Sequence, residues 1–410
     1  MKDPSPDDWD RVQRYASWMH RVHLEEWTSL GKEAFGKLRI NSPPGGWFPS
    51  LQNLSWRITE TNIPYIDLFF SPSLKDFFFH PAWSWGHFGI PPNVPPTLAK
   101  AVLALPTSGL ERISGGTGHP WRYFKDALSS VVLRCGPSFT EYDSRNPLSD
   151  AAITHLIQLP LLHTLCMYNP PPDYTTTSLP PVFPPLKKLT LGDSAAREWL
   201  LLFGRLEGGA PTAQGATRLS KTKESLEVLY IRDMFDTMID SSFISPIQHF
   251  RNLIDLDMNV YCHDVSESQC VFKLNDDDVV ELTMALTQVE SLLIGRACFE
   301  GTCSTTVACL LPISVHCVKL KNLEIHFNAT NIVDDFKNTL DDPRLRRLRP
   351  LPRCPLTHLD VFEIPLSLDE HGFEIVLNGM TDIFPSLQSF GGVEPDWDEL
   401  SRRLAGRLEG

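Results

Sequence analysis

A short pattern, apolar-x-x-apolar-x-apolar, returns twelve times along the chain and constrains its fold more than any other feature. It stands at Leu51-Leu54-Trp56, Leu74-Phe77-Phe79, Leu110-Ile113, Phe139-Tyr142, Leu162-Leu165-Met167 and Leu186-Leu189-Leu191, and again at Leu226-Leu229-Ile231, Leu253-Leu256-Met258, Val289-Leu292-Ile294, Leu320-Leu323-Ile325, Leu356-Leu359-Val361 and Leu387-Phe390. Its last two positions are two residues apart, the spacing that puts side chains on one face of a strand. The spacing between starts, 23 to 40 residues, leaves room for a helix in the longer gaps.

Helix-like periodicity fills many of those gaps, at 97–105, 121–133, 149–159, 195–206, 276–286, 306–311, 331–340 and 369–384. Ser149 and Asn275 stand where a side-chain oxygen can accept from a first-turn amide. A single strand–helix unit cannot bury its apolar face, but stacked units share one core. The expected fold is therefore α/β, an irregular leucine-rich-repeat solenoid with a curved parallel sheet on the concave face and helices on the convex face. Crossovers should be right-handed. The chain then parses as 1–50, an N-terminal helical cap and first strands; 51–393, the repeat array; and 394–410, a C-terminal capping helix. Trp9, Val12, Ala16 and Met19 share one helical face at the first end, as do Trp397, Leu400, Leu404 and Leu408 at the last. The asparagine that usually follows a leucine-rich strand fits only at Asn328; Thr59, Ala82, Pro170, Ser194, Tyr261, Ala297 and Ile364 hold the equivalent places, which predicts irregular turns.

The 34 prolines take a place in this scheme. Pro49, Pro72, Pro106, Pro137, Pro160, Pro185, Pro355 and Pro385 each stand within four residues before a strand motif. There a proline ends the preceding element without removing an amide from the strand interior.

A net charge of −13 argues against nucleic acid and anionic membrane as partners. The one basic run, Arg344, Arg346, Arg347, Arg349 and Arg353, reads as a solvated connector balanced by Asp334, Asp335, Asp341 and Asp342. No stretch approaches the ~18 apolar residues of a membrane span, and the start has no apolar export segment, so a cytoplasmic or nuclear protein is expected. Nine scattered cysteines predict reduced, buried thiols. The densest group, Cys298, Cys303, Cys309 and Cys317, lacks the paired spacing of a zinc module.

Reaction machinery is not evident. Ser114-Gly-Gly-Thr-Gly118 lacks the lysine of a phosphate loop and reads as a turn. Asp276-Asp277-Asp278 reads as an acidic first helical turn, and Trp83 and Trp85 as loop anchors. If the motif apolars point inward, the residues between them form an outward row. It runs through Asn53, Ser55, Arg57; Asp76, Phe78, His80; Thr164, Cys166, Tyr168; Val228, Tyr230, Arg232; Asp255, Asp257, Asn259; Asn322, Glu324, His326; and His358, Asp360, Phe362. Of these, Arg57, Phe78, His80, Tyr168, Tyr230, Arg232, Asp255, Asp257, Glu324, His326, Asp360 and Phe362 are the expected protein-binding residues, because aromatic and arginine side chains anchor interfaces and solenoids bind on their concave side. Glu324, His326, His358 and Asp360 could be imagined around a metal, but solvated strand residues explain them better. No catalytic residue, metal or cofactor is expected.

The segments Ser42-Pro-Pro-Gly-Gly-Trp-Phe-Pro-Ser-Leu51, Trp121-Arg-Tyr-Phe-Lys-Asp-Ala-Leu-Ser-Ser-Val-Val-Leu-Arg-Cys-Gly-Pro137, Leu179-Pro-Pro-Val-Phe-Pro-Pro-Leu186 and Phe384-Pro-Ser-Leu387 closely resemble the F-box and leucine-rich-repeat-like proteins of mushroom-forming fungi. The resemblance covers nearly the whole chain. It implies a repeat region that holds an as yet unidentified protein substrate, behind an F-box that docks on the Skp-type adaptor of a cullin ubiquitin ligase. The family's Leu-Pro-x-Glu opening has no counterpart between Met1 and Ser50, so the adaptor is expected as a partner only if an F-box lies upstream.

Overall fold

The computed structural model describes residues 5–24, 29–43, 46–59, 62–81, 94–115, 124–168, 185–192, 196–200, 224–234, 239–260, 273–295, 304–341, 354–361, 366–392 and 395–409. The chain divides into two compact units, Met1–Leu186 and Lys187–Gly410.

The first unit holds strands β1 (Arg21–Leu24), β2 (Asn53–Ile58), β3 (Asp76–Pro81), β4 (Arg112–Gly115), β5 (Glu141–Ser144) and β6 (Thr164–Met167). Between them lie α1 (Pro6–Ala16), α2 (Ser29–Ile40), a 3-10 turn at Ile63–Phe69, α3 (Val94–Leu103), α4 (Lys125–Val132) and α5 (Asp150–Leu156). The second unit holds β7 (Lys188–Gly192), β8 (Val228–Met234), β9 (Asp255–Val260), β10 (Ser291–Ile294), β11 (Asn322–Ile325), β12 (His358–Asp360) and β13 (Ser389–Gly391). Its helices are α6 (Ser241–Ile247), α7 (Asp276–Ala285), a 3-10 turn at Val307–Cys309 leading into α8 (Leu310–His316), α9 (Ile332–Asp341), α10 (Glu370–Ile383) and α11 (Pro395–Glu409). Within each unit every strand pairs in parallel with the next in sequence. This is the α/β repeat solenoid that the motif spacing predicts.

All twelve motifs form strands at the expected positions, and every one of their apolar residues is buried. In-register pairing stacks them in columns. Leu54, Phe77, Ile113 and Tyr142 follow one another in the first unit, and Leu189, Leu229, Leu256, Leu292, Leu323, Leu359 and Phe390 in the second. Each full burial of such a side chain stabilises by about 1.5–3 kcal/mol, so the columns are the continuous core.

Two backbone devices recur at many of the strand starts. The amide of the first motif residue donates to the carbonyl three residues back, closing a turn: Leu51 to Phe48, Leu74 to Ser71, Phe139 to Gly136, Leu162 to Leu159 and Leu387 to Phe384. Pro49, Pro72, Pro137, Pro160 and Pro385 fill the second position of these five turns, where a fixed φ favours the turn. The next two amides then converge on one carbonyl of the preceding strand. Lys75 and Asp76 donate to Gln52, Glu111 and Arg112 to Lys75, Ile254 and Asp255 to Glu227, and Lys321 and Asn322 to Glu290. These paired bonds fix the register from which all outward side chains follow.

The helix starts are capped as the residue types predict. The Ser149 hydroxyl accepts from the Ala152 amide at 3.3 Å, and Asn275 from Asp278 at 3.0 Å. Asp276 accepts from the Thr306 amide and hydroxyl, both at 2.7 Å, tying the acidic first turn of α7 to the next repeat. Residues 196–200 are helical, while the rest of the helix expected at 195–206 lies outside the described residues.

The ends differ from expectation. At the C-terminus α11 buries Trp397, Leu400 and Leu404, but Leu408 is 59% exposed because the helix runs past the core it covers. The Ser401 hydroxyl accepts from the Phe390 amide of the last strand, at 3.3 Å. At the other end Ala16 is buried and Trp9 half-buried against Trp47, at 5.5 Å between rings, while Val12 and Met19 are exposed. The expected apolar face of α1 is thus only partly covered. The helices α2 and α6 and the Ile63–Phe69 turn lack the sequence signals used above: α2 contains two glycines and α6 contains Pro246, whereas β1, within the first strands expected in 1–50, keeps the motif spacing at Met19, Val22 and Leu24.

Candidate functional site

The register places the expected outward residues on the strand face opposite the buried columns, and the two units carry different chemistry there. In the first, Asp76 and Arg112 are direct neighbours on β3 and β4. Arg112 forks onto the Asp76 carboxylate, Nε to Oδ1 at 2.6 Å and Nη2 to Oδ2 at 2.8 Å. Asp76 is thereby buried under its partner, and the carboxylate raises the already high guanidinium pKa. Phe78 is half-buried between Ser55 and Ser114, and Arg57 lies beside His80. The His80 side chain reaches solvent, yet the surrounding protein first and His23 second hold its imidazole below the ordinary value. On β6 Thr164 and Cys166 are buried; just beyond, Tyr168 is half-buried with the Arg145 guanidinium 5.6 Å from its ring centre.

The second unit builds a tighter group around Tyr230. Its hydroxyl donates to Asp255 Oδ2 at 2.7 Å. The Arg232 guanidinium lies 4.1 Å from the ring centre and Lys188 Nζ 5.2 Å from it, so two cations meet one aromatic ring. Arg232 in turn donates through Nε at 2.8 Å and Nη2 at 2.5 Å to Asp257 Oδ2. Burial first, then the hydrogen bond to the Asp255 carboxylate, pushes the Tyr230 phenol up to about 12. Four side chains from β8 and β9 thus hold one another, and the ring is set in place before any partner arrives.

Further along, Glu324 and Asp360 are register neighbours and half-buried, and His358 Nδ1 lies 2.8 Å from the Ser389 hydroxyl. Gly391 stands close against Asp360: a Cβ there would sit 3.0 Å from the carboxyl group, so a larger residue would have to push that side chain aside. Asp257, Asn259 and His326 are buried, at 6, 7 and 5% exposure, instead of solvated as the strand alternation alone implied. For Asp257 the cause is the overlying Arg232. Phe362 lies outside the described residues, as do the arginine run from Arg344, Trp83 and Trp85, and Cys298 and Cys303.

Sequence reasoning missed Arg112, Arg145 and Lys188. The signal for Arg112 and Lys188 was present: each is the first outward residue after its motif leucine, the offset that identified Asp76 and Asp255. Among the described residues no group of three or more histidine, cysteine or acidic side chains could hold a metal ion, so Glu324, His326, His358 and Asp360 do not form one. No described helix is long and apolar enough to cross a membrane. Compared with known proteins, the chain matches no family model and no curated sequence.

Proposed function

We propose that this protein is a leucine-rich-repeat-type interaction scaffold that works without catalysis, holding a protein substrate on its outward strand face as the recognition region of an F-box-type ubiquitin-ligase receptor in the cytosol or nucleus. The observation that carries the binding part is the fixed Tyr230 group. A tyrosine held by Asp255, Arg232 and Lys188 presents a rigid aromatic anchor whose ordering cost is already met, and such residues dominate interface energies. The ligase part rests on the resemblance of the four sequence segments alone. Co-purification with a Skp-type adaptor tests it, using this chain and a version extended by upstream coding sequence. Retention of the adaptor by the extended version is expected; loss from both removes the ligase role.

A second reading, a binding module with no ubiquitin role, is favoured by one observation. Strand β1 pairs in parallel with β2, so Arg21–Leu24 is a sheet strand and not part of an all-helical adaptor-docking module.

A further inference from the structure

The outward side of strands β1 to β3 carries a charge opposite to that of the chain as a whole. Its residues are Arg21 and His23 on β1, Asn53, Ser55 and Arg57 on β2, and Asp76, Phe78 and His80 on β3. Two arginines and two histidines thus share this side with one carboxylate, and Arg112 of β4 forks onto that carboxylate. Arg21, His23 and His80 are exposed, while Arg57 and Phe78 are half-buried. The next outward acids, Glu141 and Asp143, stand on β5. In a chain of net charge −13 this is a local inversion of sign.

The register sets what fits there. Arg21 is level with Asn53, His23 with Ser55, and Arg57 with His80, so basic side chains stand at three successive levels along the strands. At about 3.3 Å per residue the levels are about 6.6 Å apart, the spacing of alternate side chains in an extended peptide. Each guanidinium offers a fork of donors that suits a carboxylate, and an imidazole keeps one N–H to donate even when neutral. Ser55, short and central, lies in register between His23 and Phe78, whose ring adds an apolar contact.

Screening confines the field of distant charges to about a Debye length, ~8 Å at physiological salt, so the local charges decide what docks on them. A nucleic acid, with a charge every ~1.7 Å of duplex, runs past this patch into the repelling field of the whole chain. A short acidic peptide segment does not. We propose that the outward side of β1 to β3 docks an extended segment of the protein partner that carries glutamate or aspartate at alternate positions. This rests on the reading of the outward strand face as a binding surface and gives that partner its chemistry.

Fluorescence anisotropy of the full chain with a labelled peptide of alternating glutamate and serine tests this, beside an alternating lysine–serine peptide and a single-stranded RNA of the same net charge. The glutamate peptide should bind best, and more weakly as salt rises from about 0.05 to about 0.5 M. Arg21→Glu with Arg57→Glu should weaken its binding about tenfold and let the lysine peptide bind, a gain that a misfolded variant would not show. Arg21→Lys with Arg57→Lys keeps the charge and should keep most of the affinity. No binding of the glutamate peptide, tighter binding of the RNA, or unchanged binding by the double glutamate variant would overturn the proposal. Such a failure beside a protein still captured through the Tyr230 group strikes this proposal alone. Capture indifferent to Tyr230→Ala with Arg232→Ala strikes the reading beneath it.

Discussion

Replacing Trp397 by alanine probes the claim that stability in this chain is passed from repeat to repeat. The indole is fully buried, with Phe390 of the last strand 6.0 Å and Phe327 6.5 Å from it between ring centres. Gly392 exists to admit it, because a Cβ at that position would come within 2.7 Å of the Trp397 Cβ. Truncation removes the transfer energy of a large aromatic and leaves a cavity, a loss of about 4 kcal/mol. In an array held by nearest-neighbour contacts the loss falls on the terminal repeat first. Hydrogen exchange read by mass spectrometry should therefore show amides of β13 and α11, and Val361, which donates to the Gly391 carbonyl, exchanging up to about a thousandfold faster. Strands β8 to β10 should be nearly unchanged. Equal acceleration in all strands would refute the reasoning, since the second unit would then open as one block; no acceleration at β13 would mean that α11 is not the cap.

Arg232→Met strips the guanidinium from the buried Asp257 carboxylate; because Arg232 is 40% exposed and water can partly replace it, the cost should be about 2 kcal/mol, under the ~3–5 kcal/mol of a fully buried pair. A denaturation cycle with Asp257→Asn should return a coupling of about 1 kcal/mol, and strict additivity would deny the pair. Burial pushes the thiols of Cys135 and Cys317 up to about 12 and Cys354 up to about 11, so all three should resist alkylation at pH 8 in the folded protein and react once it is unfolded. The same shifts predict a pH effect: unfolded thiols lose protons near their ordinary 9.0 while the folded ones keep theirs, so this contribution is complete below pH 9 and is lost as pH rises towards 11–12. Chemical denaturation at pH 8 and 10 with triple Cys→Ser controls would show it.

How far the residues foretold this arrangement depends on what each signal encodes. The motif apolars predicted twelve strands because period-two alternation with a buried column is a local rule, readable without knowing the neighbours. Prolines such as Pro72 and Pro160 predicted the turns for the same reason. Burial on the outward face was not legible, because it depends on which side chain lies over which: Asp257 reads as a solvated acid until the register brings Arg232 across it, and Thr164 as an exposed strand residue until its neighbours close over it. The helix α1 shows the same limit. Periodicity gave its apolar face, but whether Val12 and Met19 are covered is a tertiary fact. Strand β1 keeps the motif spacing at Met19, Val22 and Leu24, but it reads only coarsely, among the first strands within 1–50, because Met19 is assigned to the apolar face of the first helix.

The central claim is that this array binds a protein through the outward face of its strands. Comparative affinity capture tests it most directly, with the wild-type chain beside an outward-face variant, Tyr230→Ala with Arg232→Ala, and a control altered at exposed helix residues, Leu133→Ala with Met284→Ala. A protein retained by the wild type and the control and lost from the outward-face variant is the predicted result. Retention by the outward-face variant with loss from the helix-side control would contradict it.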